Sequence, residues 1–349
     1  MPDAQPDNGL ARLSPAYFGM VMATGIVSLA AGMQGHATLA KGLFVLNLGA
    51  YLVLWVLYLL RLFRHTQAFL HDLFDHLLGP AFFTVVAATS VLGAQCLLLV
   101  DALQAASWLW TLALVLWLLL TYAIFTILTV KEHKPPLDAG INGGWLLAVV
   151  ATQSLAVLGA LLAARIGQPW KLELNFFALS MWLWGGMLYI WMMSLIFYRY
   201  TFFRFQPGDL SPPYWINMGA MAISTLAGSL LILNSPDAPF LISVLPFIKG
   251  FTIFYWATGT WWIPMLLVLG VWRHIYKRFP LRYDPLYWGA VFPLGMYTAC
   301  THQLAQAMEL EFLAWITPAF LAIAVLAWLA TFLGLAHRIV GLTRMRATR

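Results

Sequence analysis

The chain has 349 residues, of which 62% are hydrophobic and 9% charged, with 19 Lys and Arg against 13 Asp and Glu. A soluble domain carries roughly 25% charged residues, so this chain has too few charges to cover a water-exposed surface of its size. The balance excludes a soluble enzyme, a nucleic-acid binder and a disordered protein, and makes lipid the solvent for most of the chain.

In chain order, residues 1–14 (MPDAQPDNGLARLS) are polar and read as an N-terminal tail. No positively charged n-region with a cleavage site precedes the first apolar segment, so no removable signal peptide is expected. Ten apolar segments follow, at 15–33, 41–63, 77–99, 106–129, 142–164, 175–198, 213–233, 246–272, 286–307 and 313–336. Each is about as long as a spanning helix needs. Their continuous runs of Leu, Ala and Trp fit helices, whereas a barrel would alternate over short strands. The fold class expected is an all-α integral membrane protein, with one transport domain over 15–336 and a basic C-terminal tail over 337–349.

Ten spans place Lys41, Arg165, Lys171 and Lys249 on one side and the other 15 Lys and Arg on the opposite side. Cytoplasmic loops hold the excess of Lys and Arg, so both termini are expected in the cytoplasm and the protein in the inner (plasma) membrane. The net charge of +6 is mostly this topology signal.

The odd-numbered segments resemble one another. The first begins Pro15-Ala-Tyr-Phe-Gly-Met-Val-Met-Ala-Thr-Gly and the third Pro80-Ala-Phe-Phe-Thr-Val-Val-Ala-Ala-Thr-Ser, with Pro, Ala, Phe, Val, Ala and Thr in register. The seventh begins Pro212-Pro-Tyr-Trp and the ninth Pro285-Leu-Tyr-Trp. The fifth, Gly143-Gly-Trp-Leu, keeps a weaker version. Proline suits a first helical turn, and an aromatic pair suits interfacial depth. The period is one helical hairpin, repeated five times. Its simplest packing is an inner ring of five odd helices around a central pore, inside an outer ring of five even helices.

The odd segments hold no Asp, Glu, Lys or Arg in their cores; their polar groups are hydroxyls, amides and one histidine. Hydroxyls can donate to a passing anion without trapping it. Thr24, Ser28, Thr89, Thr152, Thr225 and Thr298 are therefore expected to line the pore. Taken singly, each could equally be helix–helix glue or bond to its own backbone. Five helix N-termini at the cytoplasmic mouth would favour anions. Pro293 interrupts the ninth segment and bends it beside Phe292, a large ring where the other repeats carry Met22, Ala87, Val149 and Gly219. Phe292 and Pro293 read as a gate, or else Phe292 is an ordinary core ring. His302, near the far end of the same segment, could sense pH or be structural.

The cluster His71, Asp72, Asp75, His76 is incomplete as a ligand set, and His65 and His133 are loop residues; no metal and no cofactor are expected. Cys96 and Cys300 lie within spans and read as small buried hydrophobes.

The motifs FGMVMATGI (18–26), HLLGPAFFT (76–84) and YWGAVFPLG (287–295) resemble the tellurite-resistance/dicarboxylate transporter family. That family includes bacterial TehA, plant guard-cell slow anion channels, fungal malate permeases and sulfite efflux pumps. The likeness spans about residues 15–336, and Trp288-x-x-x-Phe292-Pro293 is its most specific part. It implies five tandem hairpins around a central pore, a homotrimer with one pore per subunit, and occlusion of the pore by the ring matching Phe292. The chain is thus expected to be an anion channel or transporter for small anions or C4-dicarboxylates, tellurite and sulfite included. The alternatives are a proton-coupled carrier on the same scaffold, a membrane enzyme, for which no catalytic constellation appears, and a structural protein without a path.

Overall fold

The structure, a computed structural model, describes residues 9–281 and 283–347, with side chains to residue 341. The first eight residues of the expected N-terminal tail, Arg282 and the last two residues lie outside the described residues. The described residues form helices and turns with no strand.

The long helices are α1 (Phe18–Met33), α2 (Ala37–Arg64), α3 (Phe83–Val100), α4 (Leu103–Val130), α5 (Leu147–Ala163), α6 (Trp170–Phe202), α7 (Ile216–Asn234), α8 (Leu245–Val271), α9 (Trp288–Met308) and α10 (Ile316–Ala347). Among the described residues, nine segments are long and apolar enough to cross a membrane. The exception is α9, whose second half carries Thr298, Thr301, His302, Gln303 and Gln306 and so dilutes its hydropathy. α2, α4 and α6 overrun the expected boundaries at both ends. The longest, α6, has 33 residues, about 50 Å at 1.5 Å per residue, more than the roughly 30 Å of hydrocarbon. α10 continues to Ala347, so the segment expected as a C-terminal tail prolongs the last helix.

Each odd helix is entered through a short 3₁₀ turn: Pro15–Tyr17, Gly79–Phe82, Gly143–Leu146, Pro212–Trp215 and Pro285–Tyr287. Side chains just ahead of the turns accept their free N–H groups: Ser14 Oγ from Ala16 at 3.2 Å, Asn142 Oδ1 from Gly144 at 2.8 Å and Asp284 Oδ1 from Leu286 at 2.8 Å. Proline in four of the turns removes a donor that would otherwise lack a partner.

The odd helices close a ring: α1 packs on α3, α3 on α5, α5 on α7, α7 on α9, and α9 back on α1. Each even helix lies outside its own hairpin partner; α2, α4, α6 and α10 also reach the odd helix of the next hairpin. Burial separates the two sets. The spans containing α1, α3, α5 and α7 are 78 to 94% buried, and the even ones 22 to 44%. The exposed large residues lie mostly on the even helices, such as Val45 and Leu119, as a lipid-facing shell requires.

The five turns form a second, tighter ring, each touching the next and the last touching the first. Thr84 Oγ1 donates across it to the Pro15 carbonyl at 3.0 Å. A Cβ on Gly143 would lie 2.5 Å from the Pro213 carbonyl oxygen and 2.8 Å from Tyr214 Cα. Neighbouring backbone therefore requires glycine there, which explains why the fifth segment departs from the repeat at its start.

Candidate functional site

The ring of odd helices encloses a cavity of about 480 Å³ in the half of the bundle away from the turns. All five contribute: Ile26 and Leu29 from α1, Ser90 and Ala94 from α3, Ser154 and Val157 from α5, Ile223 and Leu226 from α7, Met296 and Gln303 from α9. Ala37, Ala40 and Lys41 of α2 complete its wall. Lys41 is the one charged residue in this lining, and no carboxylate faces it. Two neighbouring cations at that end are neutralised, Arg165 by Asp101 at 3.0 Å and Lys171 by Asp237 at 2.8 Å. Lys41 has no ion pair among the described residues. Of the lining hydroxyls, Ser154 donates to the Ala151 carbonyl at 2.7 Å, while Ser90 Oγ is buried without a partner.

One helical turn deeper than Met296 on the same face of α9 stands Phe292, fully buried. By the same spacing Met22 lies beneath Ile26 and Gly219 beneath Ile223. A Cβ on Gly219 would come 2.7 Å from Pro293 Cγ, so the proline ring occupies the space a side chain would need on α7. α9 runs through Pro293 as one helix.

The six residues expected to line a pore are buried on the odd helices and are not part of this cavity's wall. Thr24 Oγ1 accepts from Trp328 Nε1 at 2.9 Å, Thr89 Oγ1 from the Tyr51 hydroxyl at 2.9 Å, and Thr152 Oγ1 from Trp117 Nε1 at 2.8 Å. Ser28 donates to the Ala40 carbonyl on α2 at 2.7 Å. Thr225 and Thr298 donate back to the carbonyls of Met221 and Leu294 at 2.8 and 3.1 Å. Two more bonds complete a pattern: Trp182 Nε1 donates to the Ser224 carbonyl at 2.8 Å, and Trp256 Nε1 to Thr301 Oγ1 at 3.0 Å. Every even helix thus holds the odd helix of the following hairpin by at least one aromatic donor, and the fifth bond closes on the first helix.

The reason is helical geometry. Thr24 and Thr89 sit two residues from Met22 and Ala87, about 200° around the helix, so when one faces the axis the other faces the outer ring. The missed signal was the Tyr or Trp residues deep in the even segments, where a buried donor needs an acceptor.

His302 Nε2 lies 3.1 Å from Gln306 Nε2 on its own helix and is outside the cavity lining. Asp72 Oδ2 pairs with Arg61 at 2.5 Å, and Asp75 Oδ1 accepts from the N–H groups of Leu77 and Leu78. The His71–His76 carboxylates are therefore engaged locally, and among the described residues no three His, Cys, Asp or Glu gather as ligands. Cys96 and Cys300 are buried free thiols.

Comparison with known proteins identifies the family. The model of the voltage-dependent anion channel (SLAC1) family matches residues 12–336, and the chain belongs to that family. An uncharacterized membrane protein of Mycobacterium tuberculosis is 37% identical over 159 residues, 44% of this chain and 77% of that protein. Two uncharacterized transporters of Methanocaldococcus jannaschii match at 25% over 310 residues and 24% over 326, covering 86 and 91% of this chain and 86 and 92% of theirs. The family is one of channels and transporters rather than enzymes.

Proposed function

We propose that this member of the voltage-dependent anion channel family is a passive conduit for small anions along the axis of its inner ring, closed at Phe292. The observation that carries the reading is the cavity walled by all five odd helices, with Phe292 one turn below Met296 on the same face of α9. Its wall is apolar apart from a few hydroxyls and amides, and its one charge is the Lys41 ammonium, so its field favours anions. A wall with a single charge binds weakly enough to let an ion leave. On this reading Ser90, whose hydroxyl has no protein partner, offers a free donor, whereas Thr24, Thr89 and Thr152 are engaged as acceptors of the outer ring's aromatic donors. The Lys and Arg asymmetry supports reading both termini as cytoplasmic and the membrane as the inner one. Small inorganic anions, tellurite and sulfite among them, and C4-dicarboxylates are the substrate classes to examine, and a homotrimer with one path per subunit is the assembly.

The test is anion flux into proteoliposomes. Phe292→Ala is expected to raise flux at least tenfold over the wild type. Normal insertion and thermal stability with no rise in flux would reject the gate. Flux that saturates and follows an imposed pH gradient, abolished by His302→Ala, would point instead to proton-coupled carriage on the same scaffold.

A further inference from the structure

A second cavity, of about 360 Å³, lies at the opposite end of the bundle, beneath the end of α8 and against two of the lead-in turns. Its walls include Arg273, His274, Ser211, Tyr287, Leu267 and Val271. The internal repeat shows what is unusual about it. Arg61 near the end of α2, Arg199 near the end of α6 and Arg273 just past α8 do the same structural work. Each guanidinium donates to a backbone carbonyl: Arg61 to Leu13, Arg199 to Asp138, Arg273 to Leu210. Each lies beside a phenylalanine ring, Phe69 at 5.8 Å, Phe205 at 5.7 Å and Phe279 at 4.4 Å.

The first two also hold a carboxylate, Asp72 at 2.5 Å and Asp209 at 3.5 Å. Arg273 has none among the described residues. Asp284 stands as far beyond Arg273 as Asp72 stands beyond Arg61, but its Oδ1 accepts from the Leu286 N–H at 2.8 Å. Arg273 Nε is buried and has no hydrogen-bond partner. Arg273, without that carboxylate, lines the cavity.

Local backbone aims the site. Residues Trp272–Tyr276 form a π-helical turn, with Lys277 N–H donating to the Trp272 carbonyl at 2.9 Å. Such one-residue insertions often mark functional positions; here both Arg273 and His274 line the cavity. His274 Nδ1 lies 2.9 Å from the Phe279 carbonyl, which leaves Nε2 for a ligand.

We propose that this cavity holds the phosphate of an anionic phospholipid. A guanidinium matches phosphate geometry through paired N–H bonds, and basic cavities between membrane helices suit lipid headgroups. The apolar wall decides for a lipid over a soluble anion. Leu267, Val271 and Ile275 are 55, 53 and 70% exposed and continue from the lipid-facing side of α8 into the cavity, so an acyl chain can lie along them while the headgroup meets Arg273. Tyr287 and Trp215, also in the wall, belong to the turns that lead into α9 and α7. A bound lipid therefore braces the base of the helix that carries Phe292.

The experiment is native mass spectrometry of the whole protein released from bilayers of equimolar phosphatidylglycerol and phosphatidylcholine. The wild type should retain one phosphatidylglycerol per chain in preference to phosphatidylcholine, and excess inorganic phosphate should not displace it. Arg273→Gln should weaken retention about tenfold, the loss of one charge-assisted pair. Gly270→Leu tests the cavity without touching a charge: a Cβ on Gly270, which lines the cavity, meets open space, so this variant should fold and also lose the lipid. No headgroup preference in the wild type, displacement by phosphate, or unchanged retention in Gly270→Leu would overturn the site.

Discussion

Trp328 on α10 donates its indole N–H to Thr24 on α1 at 2.9 Å, across 304 residues of sequence. This bond closes the outer ring on the inner one, and four others like it link the remaining hairpins. Lipid supplies no hydrophobic drive between helices, so close packing and such bonds hold a bundle together. Trp328→Phe should cost about 1 kcal/mol, and the cycle with Thr24→Val should show a coupling of about 0.5–1.5 kcal/mol. Thermal unfolding in one detergent measures both; strictly additive losses would mean that the bond contributes nothing.

Thr89 and Ser90 are adjacent, but their hydroxyls meet opposite surroundings. Thr89 receives the Tyr51 hydroxyl and donates to the Val85 carbonyl, whereas Ser90 Oγ is buried without a partner in the cavity wall. Thr89→Val should lower stability by about 1 kcal/mol, because it strands the Tyr51 hydroxyl. Ser90→Ala should leave stability unchanged or raise it, and should reduce anion flux. Equal stability losses at the two positions would contradict the assignment of faces.

At Gly143 the obstacle is backbone, which cannot turn aside as a side chain can. Gly143→Ala should lower thermal stability by about 1–3 kcal/mol, the usual cost of overpacking, and reduce the yield of monodisperse protein. Gly49→Ala, where a Cβ meets nothing within 4 Å, serves as the control and should be neutral or slightly stabilising.

Arg61 is almost wholly buried and ties together the Ala11 and Leu13 carbonyls, the Ala68 carbonyl and Asp72. Arg61→Ala strands a carboxylate and frees the segment before α1. A loss of about 3 kcal/mol is expected, together with faster proteolysis around residues 9–14. Lysine should not restore protection, because it lacks the planar fork that reaches several acceptors at once.

His76, in the loop before α3, has its pKa pushed down from the ordinary value of 6.5 by burial and then by the Lys131 ammonium, with Asp75 opposing. The folded state therefore favours the neutral ring, and the unfolded chain binds its proton more readily. Its contribution to stability is full above pH 6.5 and is lost as the pH falls through the lower folded value. The stability difference between wild type and His76→Gln, followed by thermal unfolding across that range, should shrink on acidification; a difference independent of pH would refute this.

The membrane class, the five hairpins and the division into inner and outer helices were legible in the chain itself. Composition decides which solvent a helix can face, and Pro15, Pro80, Pro212 and Pro285 mark the same event in four of the five hairpins. The exposed Val45 and the buried Val86 follow from the segments they belong to. What the chain could not reveal was rotation about each helix axis. A helix buried all round has no polar stripe to show which side is inward, so Thr24 was expected at the pore, and only the placement of Trp328 showed that its hydroxyl meets the outer ring. The same holds at Arg273, whose want of a carboxylate shows only when three arginines far apart in sequence are compared in space. Patterning sets which helices gather at the centre; the fit of neighbouring helices sets which face each one turns there.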